Sequence, residues 1–231
     1  MDAYDAGKRS MRLRWLAAAG AILVPAIVAA ALLWPPPPSS FDATYSFEED
    51  MEGWTAGSAD LAWGNCSAGA QSEGPLMPLS GNCTISASID RSTGLARQGA
   101  ASVRLFMDNL NDMGKIWIER AFNVTPGRTY RVHLAFAFAS SDYGAVNHWR
   151  IVAGVLTARP SSSDDLTPAY REDTGNGLAA AGGYVWLVKA YDVTVTAHAD
   201  GRLWALVGVW GTWEGPRAYY VDVVHVTILS A

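Results

Sequence analysis

The sequence predicts an all-β, antiparallel two-sheet jelly-roll β-sandwich preceded by a single N-terminal transmembrane helix. Three observations predict it. From residue 41 onward, apolar residues recur at every second position, the period of a strand with one buried face. Clusters of Pro, Gly, Asp and Asn interrupt these runs at short intervals. Ahead of them, Trp15 to Trp34 form an unbroken uncharged run, WLAAAGAILVPAIVAAALLW. As a helix that run spans about 30 Å, the thickness of a bilayer's hydrocarbon.

The first 34 residues set the topology. Trp15 and Trp34 stand at the two ends of the apolar run, where indoles favour the headgroup zone. Lys8, Arg9, Arg12 and Arg14 precede it, and no Lys or Arg follows it until Arg91. This asymmetry predicts a cytoplasmic tail (1–14), a membrane anchor through the bilayer (15–34) and an extracytoplasmic remainder. The rival reading is a cleaved signal peptide with Ala29 and Ala31 at the cleavage site, which also exports the rest. Pro35 to Pro38, then Ser39 and Ser40, predict a short stiff stalk (35–40). Residues 41–231 form the extracytoplasmic domain.

Composition narrows the function classes. The chain has 231 residues, half of them hydrophobic and 17% charged, which excludes a disordered chain. Seventeen Lys+Arg against 22 Asp+Glu give a net charge of -5. Without the two acids and four cations of the first 34 residues, the remainder carries 20 acids and 13 cations. An excess of acid argues against nucleic acid as a partner, since phosphate binding requires the opposite sign. Export places Cys66 and Cys83 where disulfides persist. Each sits in a similar tetrapeptide, Gly-Asn-Cys-Ser and Gly-Asn-Cys-Thr. One bridge is expected, worth about 3 kcal/mol by loop-closure entropy. Asn65, Asn82 and Asn123 each begin an N-x-[ST] sequon.

Within the domain, strands are expected at 41–48, 84–89, 101–107, 115–124, 129–139, 148–157, 184–197, 203–210 and 218–229. Tyr130, Val132, Leu134, Phe136 and Phe138 alternate with smaller or polar residues, and Tyr191, Val193 and Val195 do the same. Thr125-Pro126-Gly127-Arg128 and Ala199-Asp200-Gly201-Arg202 read as hairpin connections. So many strands in under 200 residues require two packed sheets. Residues 49–83 and 158–183 fall outside the rhythm. The second stretch is long enough to act as a lid or to move freely.

The order of short motifs resembles the galactose-binding-like jelly rolls, and most closely the carbohydrate-binding modules appended to cellulases and xylanases. Phe47-Glu48 with Gly53-Trp54 opens the domain, Gly99-Ala100-Ala101-Ser102 and Pro126-Gly127-Arg128-Thr129-Tyr130 follow, and Tyr220-Val221-Asp222-Val223 closes it. The resemblance spans about 41–229. It implies a structural calcium ion between the first and last strands, held by Glu48 and Asp222, with carbonyls from a loop near Gly99 completing the oxygen shell. Glu49, Asp50 and Glu52 compete for the first-strand role.

Sugar recognition needs aromatic platforms beside amides and carboxylates. On the strand from Leu203 to Trp210, one face reads Leu203, Ala205, Val207, Val209 and the other Trp204, Leu206, Gly208, Trp210. The expected groove comprises Trp117, Trp149, Trp186, Trp204 and Trp210. The competing expectation is that a helix or the 158–183 loop covers these rings as a second, smaller core. No catalytic set stands out. His133, His148, His198 and His225 lack metal-binding spacing, and no G-x-S-x-G elbow or phosphate loop is present. A carboxylate pair for glycoside hydrolysis could come from any two strands; Glu119 and Asp192, both on polar faces, are one such pair, and ordinary surface acids are the competing reading. The sequence therefore points to a membrane-tethered, non-catalytic module for glycan or envelope polysaccharide. The alternative is a protein-interaction or envelope-structural domain that docks a partner through exposed aromatics.

Overall fold

The computed structural model describes residues 40–61, 85–109, 114–140, 149–161, 166, 171–173, 183–211 and 215–231. The expected tail, anchor and stalk up to residue 39, the Cys66–Cys83 bridge and most of the 158–183 stretch lie outside these residues. All described residues belong to one unit, Ser39–Ala231.

Eleven strands are described: β1 (Ser40–Tyr45), β2 (Thr55–Ala59), β3 (Ser86–Ser92), β4 (Ser102–Asn109), β5 (Lys115–Asn123), β6 (Thr129–Ser140), β7 (Trp149–Leu156), β8 (Arg171–Asp173), β9 (Val185–Thr196), β10 (Arg202–Gly211) and β11 (Gly215–Ser230). They form two antiparallel sheets. The larger runs β3-β4-β11-β6-β9, with β1 also paired to β11, and the smaller runs β2-β5-β10-β7-β8. The alternation in the sequence decides which face turns inward. Leu203, Ala205, Val207 and Val209 of β10 meet Val221, Val224, Val226 and Ile228 of β11 in one apolar core between the sheets. Trp204, Leu206, Gly208 and Trp210 fall on the outer face of the smaller sheet. Burying each large aliphatic side chain contributes about 1.5–3 kcal/mol.

β11 is the longest strand because it serves two partners along one edge. Residues 215–221 pair with β4 and 224–229 with β1, while β6 lines the other edge. The change of partner falls at a β-bulge between Asp222 and His225, where Val223 takes a φ of 51°. A β-branched residue in the left-handed region is strained. The bulge is thus where the loops leaving β1 and entering β4 meet.

Two sequence expectations are corrected. The Thr125–Arg128 and Ala199–Arg202 turns are not hairpins. β5 and β6 lie in different sheets, as do β9 and β10, so each turn is a corner carrying the chain across the sandwich. The corners clasp one another through Val124 N–H to Gly201 O (2.8 Å), Gly127 N–H to Ala197 O (3.0 Å) and Ala197 N–H to Arg128 O (2.8 Å). Turn residues specify a reversal of direction, not the sheet that the next strand joins. β2 and β8 were also not anticipated. β2, Thr-Ala-Gly-Ser-Ala, has no large apolar residue to produce an alternation.

Candidate functional site

The five tryptophans of the expected groove do not share one face. Trp149 is fully buried between the sheets, tilted against Phe138 with ring centroids 5.1 Å apart. Its position follows from β7, where 149, 151, 153 and 155 point inward. Trp186 lies on β9, in the other sheet. Trp117, Trp204 and Trp210 do share the outer face of the smaller sheet.

Even there the rings are partly covered. Trp117 is 1% exposed, in a small cluster with Ala59, Val152, Leu206 and Leu166, the last contributed by the 158–183 stretch. The anticipated second core is therefore present around Trp117. The Trp117 indole lies across Gly57 of the paired β2, and its backbone abuts Gly208 of β10. A Cβ at either glycine would collide with Trp117. Trp210 is half-buried between two cations, with Lys115 Nζ 4.4 Å and Arg150 Cζ 5.1 Å from its centroid. Arg159 Cζ stands 5.6 Å from the Trp204 centroid. Such cation–π contacts contribute about 0.5–2 kcal/mol each, and they occupy ring faces on which a sugar would otherwise stack.

A different constellation emerges beside Trp117. On β5, Trp117 and Glu119 are two residues apart and therefore face the same way. Trp117 Nε1–H donates to Glu119 Oε2 at 2.7 Å, and Arg159 Nε donates to Glu119 Oε1 at 2.5 Å. The Glu119 side chain is only 1% exposed, whereas Arg159 is 59% exposed. A buried carboxylate is tolerable only with such partners. The group forms one wall of a cavity of about 470 Å³. Gly57 and Ser58 of β2, Ser88 of β3 and Ser161 complete its polar and backbone lining. Its lining draws on β2, an edge strand of one sheet, and β3, an edge strand of the other. Arg159, more than half exposed, offers further N–H groups toward the cavity. Sequence reasoning weighed Glu119 only with Asp192. The two are in different sheets, and Asp192 is paired with His133 at 2.8 Å. The Trp-x-Glu spacing was the available signal for this group. Arg159 carried none.

Glu48 and Asp222 are brought together at the β11 bulge, against the loop that carries Gly99. Asp222 is fully buried, with Oδ2 accepting Arg97 N–H (2.7 Å) and Gln98 N–H (3.0 Å) and Oδ1 accepting Val223 N–H (2.7 Å). Ala100 N–H donates to Glu48 at 3.0 Å, and a Cβ at Gly99 would strike the Glu48 carboxylate. Burial raises the Asp222 pKa above its ordinary value, the three N–H groups oppose the rise, and the Glu48 charge adds to it. Phe47, just before Glu48, and Val223, just after Asp222, are both left-handed, with φ of 59° and 51°. Arg91 holds the Phe47 and Glu48 carbonyls. The two carboxylates thus lie close enough to repel one another, and the backbone N–H groups that each accepts offset part of that repulsion. Glu52 instead accepts Ser46 N–H at 3.1 Å.

No protein-family profile matches the chain, and no curated protein matches it. Solved structures do. The K3 cleaved adhesin domain of Lys-gingipain from Porphyromonas gingivalis is 16% identical, with 82% of this chain and 99% of that chain covered and a TM-score of 0.42. The CBM22-1 xylan-binding domain from Paenibacillus barcinonensis is 14% identical, covering 82% and 94%, with a TM-score of 0.38. A family 35 carbohydrate-binding module from Clostridium thermocellum is 12% identical, covering 83% and 99%, with a TM-score of 0.33. The superpositions are loose, and the sandwich described above rests on its own strand register.

Proposed function

We propose that the chain is a membrane-tethered, extracytoplasmic and non-catalytic module that binds carbohydrate in the cavity walled by Glu119, Arg159 and Trp117. One observation carries the reading: a buried carboxylate, fixed by an indole N–H and a half-exposed guanidinium, facing a cavity of about 470 Å³. Sugar hydroxyls donate and accept together, and a Glu–Arg pair presents both complements within one hydrogen-bonded unit. The neighbouring Ser58 and Ser88 extend the same chemistry. Tethering rests on the 15–34 apolar run and its arginine border. The non-catalytic reading rests on the sequence, which has no G-x-S-x-G elbow, no phosphate loop and no histidines at metal spacing.

Glu48 and Asp222 would hold a calcium ion, with loop carbonyls as further oxygens. That ion would fix the bulge in β11 rather than touch a ligand. The test of the sugar site is retention of the detergent-solubilised full chain on a panel of insoluble polysaccharides. Wild type should be retained by at least one, and Arg159→Ala should weaken retention about tenfold, the loss of one charged hydrogen bond. No retention on any polysaccharide, or equal retention of Arg159→Ala, would overturn the assignment.

One observation favours a second reading. β9 is an edge strand, and Val188 (68% exposed) and Tyr184 (38% exposed) are large apolar residues in or beside it. A protein partner that adds a strand to this edge would cover them.

A further inference from the structure

The arginines of the domain are unequally engaged. Arg91 holds two carbonyls, Arg159 holds Glu119, and Arg104, Arg120 and Arg150 lie over aromatic rings. Arg128, Arg131 and Arg202 make no ion pair or ring contact among the described residues. Nη1 of Arg128 is buried without a hydrogen-bond partner, and Arg131 and Arg202 are exposed. All three stand at one end of the sandwich. Arg128 and Arg202 belong to the two clasped corners, and Ala231 N–H to Thr129 O (3.0 Å) ties the end of β11 beside them. Arg131 lies in one cross-strand row with Leu229 of β11 and Ser40 of β1.

The same end carries two of the four large apolar side chains exposed among the described residues, Phe41 (37%) and Leu229 (48%). Phe41 is held against Phe122, whose neighbour Asn123 pairs with Arg202. The acids there are already engaged. Asp200 accepts the Arg202 backbone N–H at 3.2 Å, and Asp42 lies 3.1 Å from both His225 Nε2 and Thr227 Oγ1. Unpaired cations beside exposed apolar side chains fit a surface that is anionic outside and apolar beneath, as headgroup phosphates over acyl chains are. Chain length points to the same partner. β1 begins at Ser40, and only residues 35–39 separate it from Trp34, the last residue of the apolar run. Fully extended they reach about 20 Å.

We propose that this end of the sandwich docks on the anionic headgroup surface of the bilayer that anchors the chain. Arg128, Arg131 and Arg202 meet the phosphates, and Phe41 and Leu229 enter the interface. The proposal rests on the tethered reading above and adds an orientation to it. With the apolar run in a bilayer, headgroups are always within the stalk's reach of Ser40, so three weak charge contacts act at high effective concentration. The chain beyond residue 34 carries 20 acids against 13 cations, and an anionic surface repels it as a whole. That repulsion turns the one end with unpaired arginines toward the lipid.

The test places the full chain in nanodiscs of phosphatidylcholine alone or of phosphatidylcholine with phosphatidylglycerol, each with a trace of lipid bearing a gadolinium chelate on its headgroup. Backbone amides of Arg131, Arg202 and Leu229 report on this end, and those of Asn109 and Gly215, at the far ends of β4 and β11, on the other. Paramagnetic relaxation at the first three should rise about threefold or more from neutral to anionic discs, and fall back in roughly 0.5 M salt, which screens exposed charges. The second pair should not respond. Arg131→Gln/Arg202→Gln should abolish the rise, and its amide spectrum away from this end verifies its fold. The comparison of discs uses the wild type alone and stands whether or not the variant folds. A tether by itself holds this end equally near both discs. Equal relaxation in neutral and anionic discs, or an undiminished rise in a folded double variant, would therefore overturn the docking and leave the tether in place. A chain that does not stay with the discs would overturn the tether and the docking together.

Discussion

Glu119 is the residue on which the proposed sugar site depends, and its environment makes specific demands. Replacing it with Ala removes the acceptor of a buried Trp117 N–H and the partner of Arg159 at once. A stranded buried donor costs about 1–3 kcal/mol, so Glu119→Ala should melt earlier as well as lose sugar retention. Glu119→Gln keeps an oxygen for one partner and should separate the two effects, with near-normal melting and weakened retention. Equal melting of Glu119→Ala and wild type would contradict the hydrogen-bonded burial. The glycines around Trp117 make a second demand. Gly208→Ala would push a methyl into the Ile116 carbonyl and the Trp117 backbone, neither of which can give way easily. A loss of about 1–3 kcal/mol is expected, read as a lower denaturation midpoint. At this scale the sequence was legible where alternation alone decides. It put Trp204 and Trp210 on the outer face correctly, as it did the inward row of β10. It could not show that Lys115, Arg150 and Arg159 would cover those rings, because the cations come from other strands and loops.

Among the elements, the two corner turns show where a local signal stops being informative. Pro126-Gly127 and Asp200-Gly201 announced reversals, and reversals occur. That each leads to the opposite sheet depends on partners more than a dozen residues away. The clasp between the corners gives a comparison of two glycines with nearly equal backbone. Gly127 (φ 68°) has open space where a Cβ would stand, whereas Gly201 (φ 66°) would meet the Val124 carbonyl at 2.7 Å and the Pro126 ring at 3.1 Å. Gly127→Ala should cost only the left-handed strain, about 1–2 kcal/mol. Gly201→Ala should cost measurably more in the same urea titration. Equal costs would mean that the corners do not pack as described. β11 was foreseen as a strand, but not as one that changes partner midway. The bulge at Asp222 and Val223 has no signature in an otherwise regular apolar run.

At the scale of the whole molecule, the resemblance carried what periodicity could not. Glu48 and Asp222 are separated by most of the domain in sequence, and no spacing rule pairs them. The motif order did, and the structure places both carboxylates at the bulge. If calcium occupies that site at about 100 times its dissociation constant, it stabilises the fold by about 2.7 kcal/mol, or roughly 5–10 °C in melting midpoint for a domain of this size. A chelator should remove that increment, and Asp222→Ala should abolish the response to it. An unchanged midpoint with and without chelator would dispose of the ion. The proposed sugar cavity needs both sheets, since it is lined by an edge strand of each. The strand carrying one lip, β2, was not read from the sequence, which is why the cavity was not foreseen.

The indole N–H resonance of Trp117, identified by its absence in Trp117→Phe, reports on this cavity more directly than any other signal, because that N–H is bonded to Glu119. On titration with a soluble oligosaccharide of whichever polysaccharide retains the chain, it should shift saturably, while the indole signal of Trp186 on the opposite sheet stays in place. A stationary Trp117 resonance alongside a moving Trp186 would place the ligand on the wrong sheet for this account.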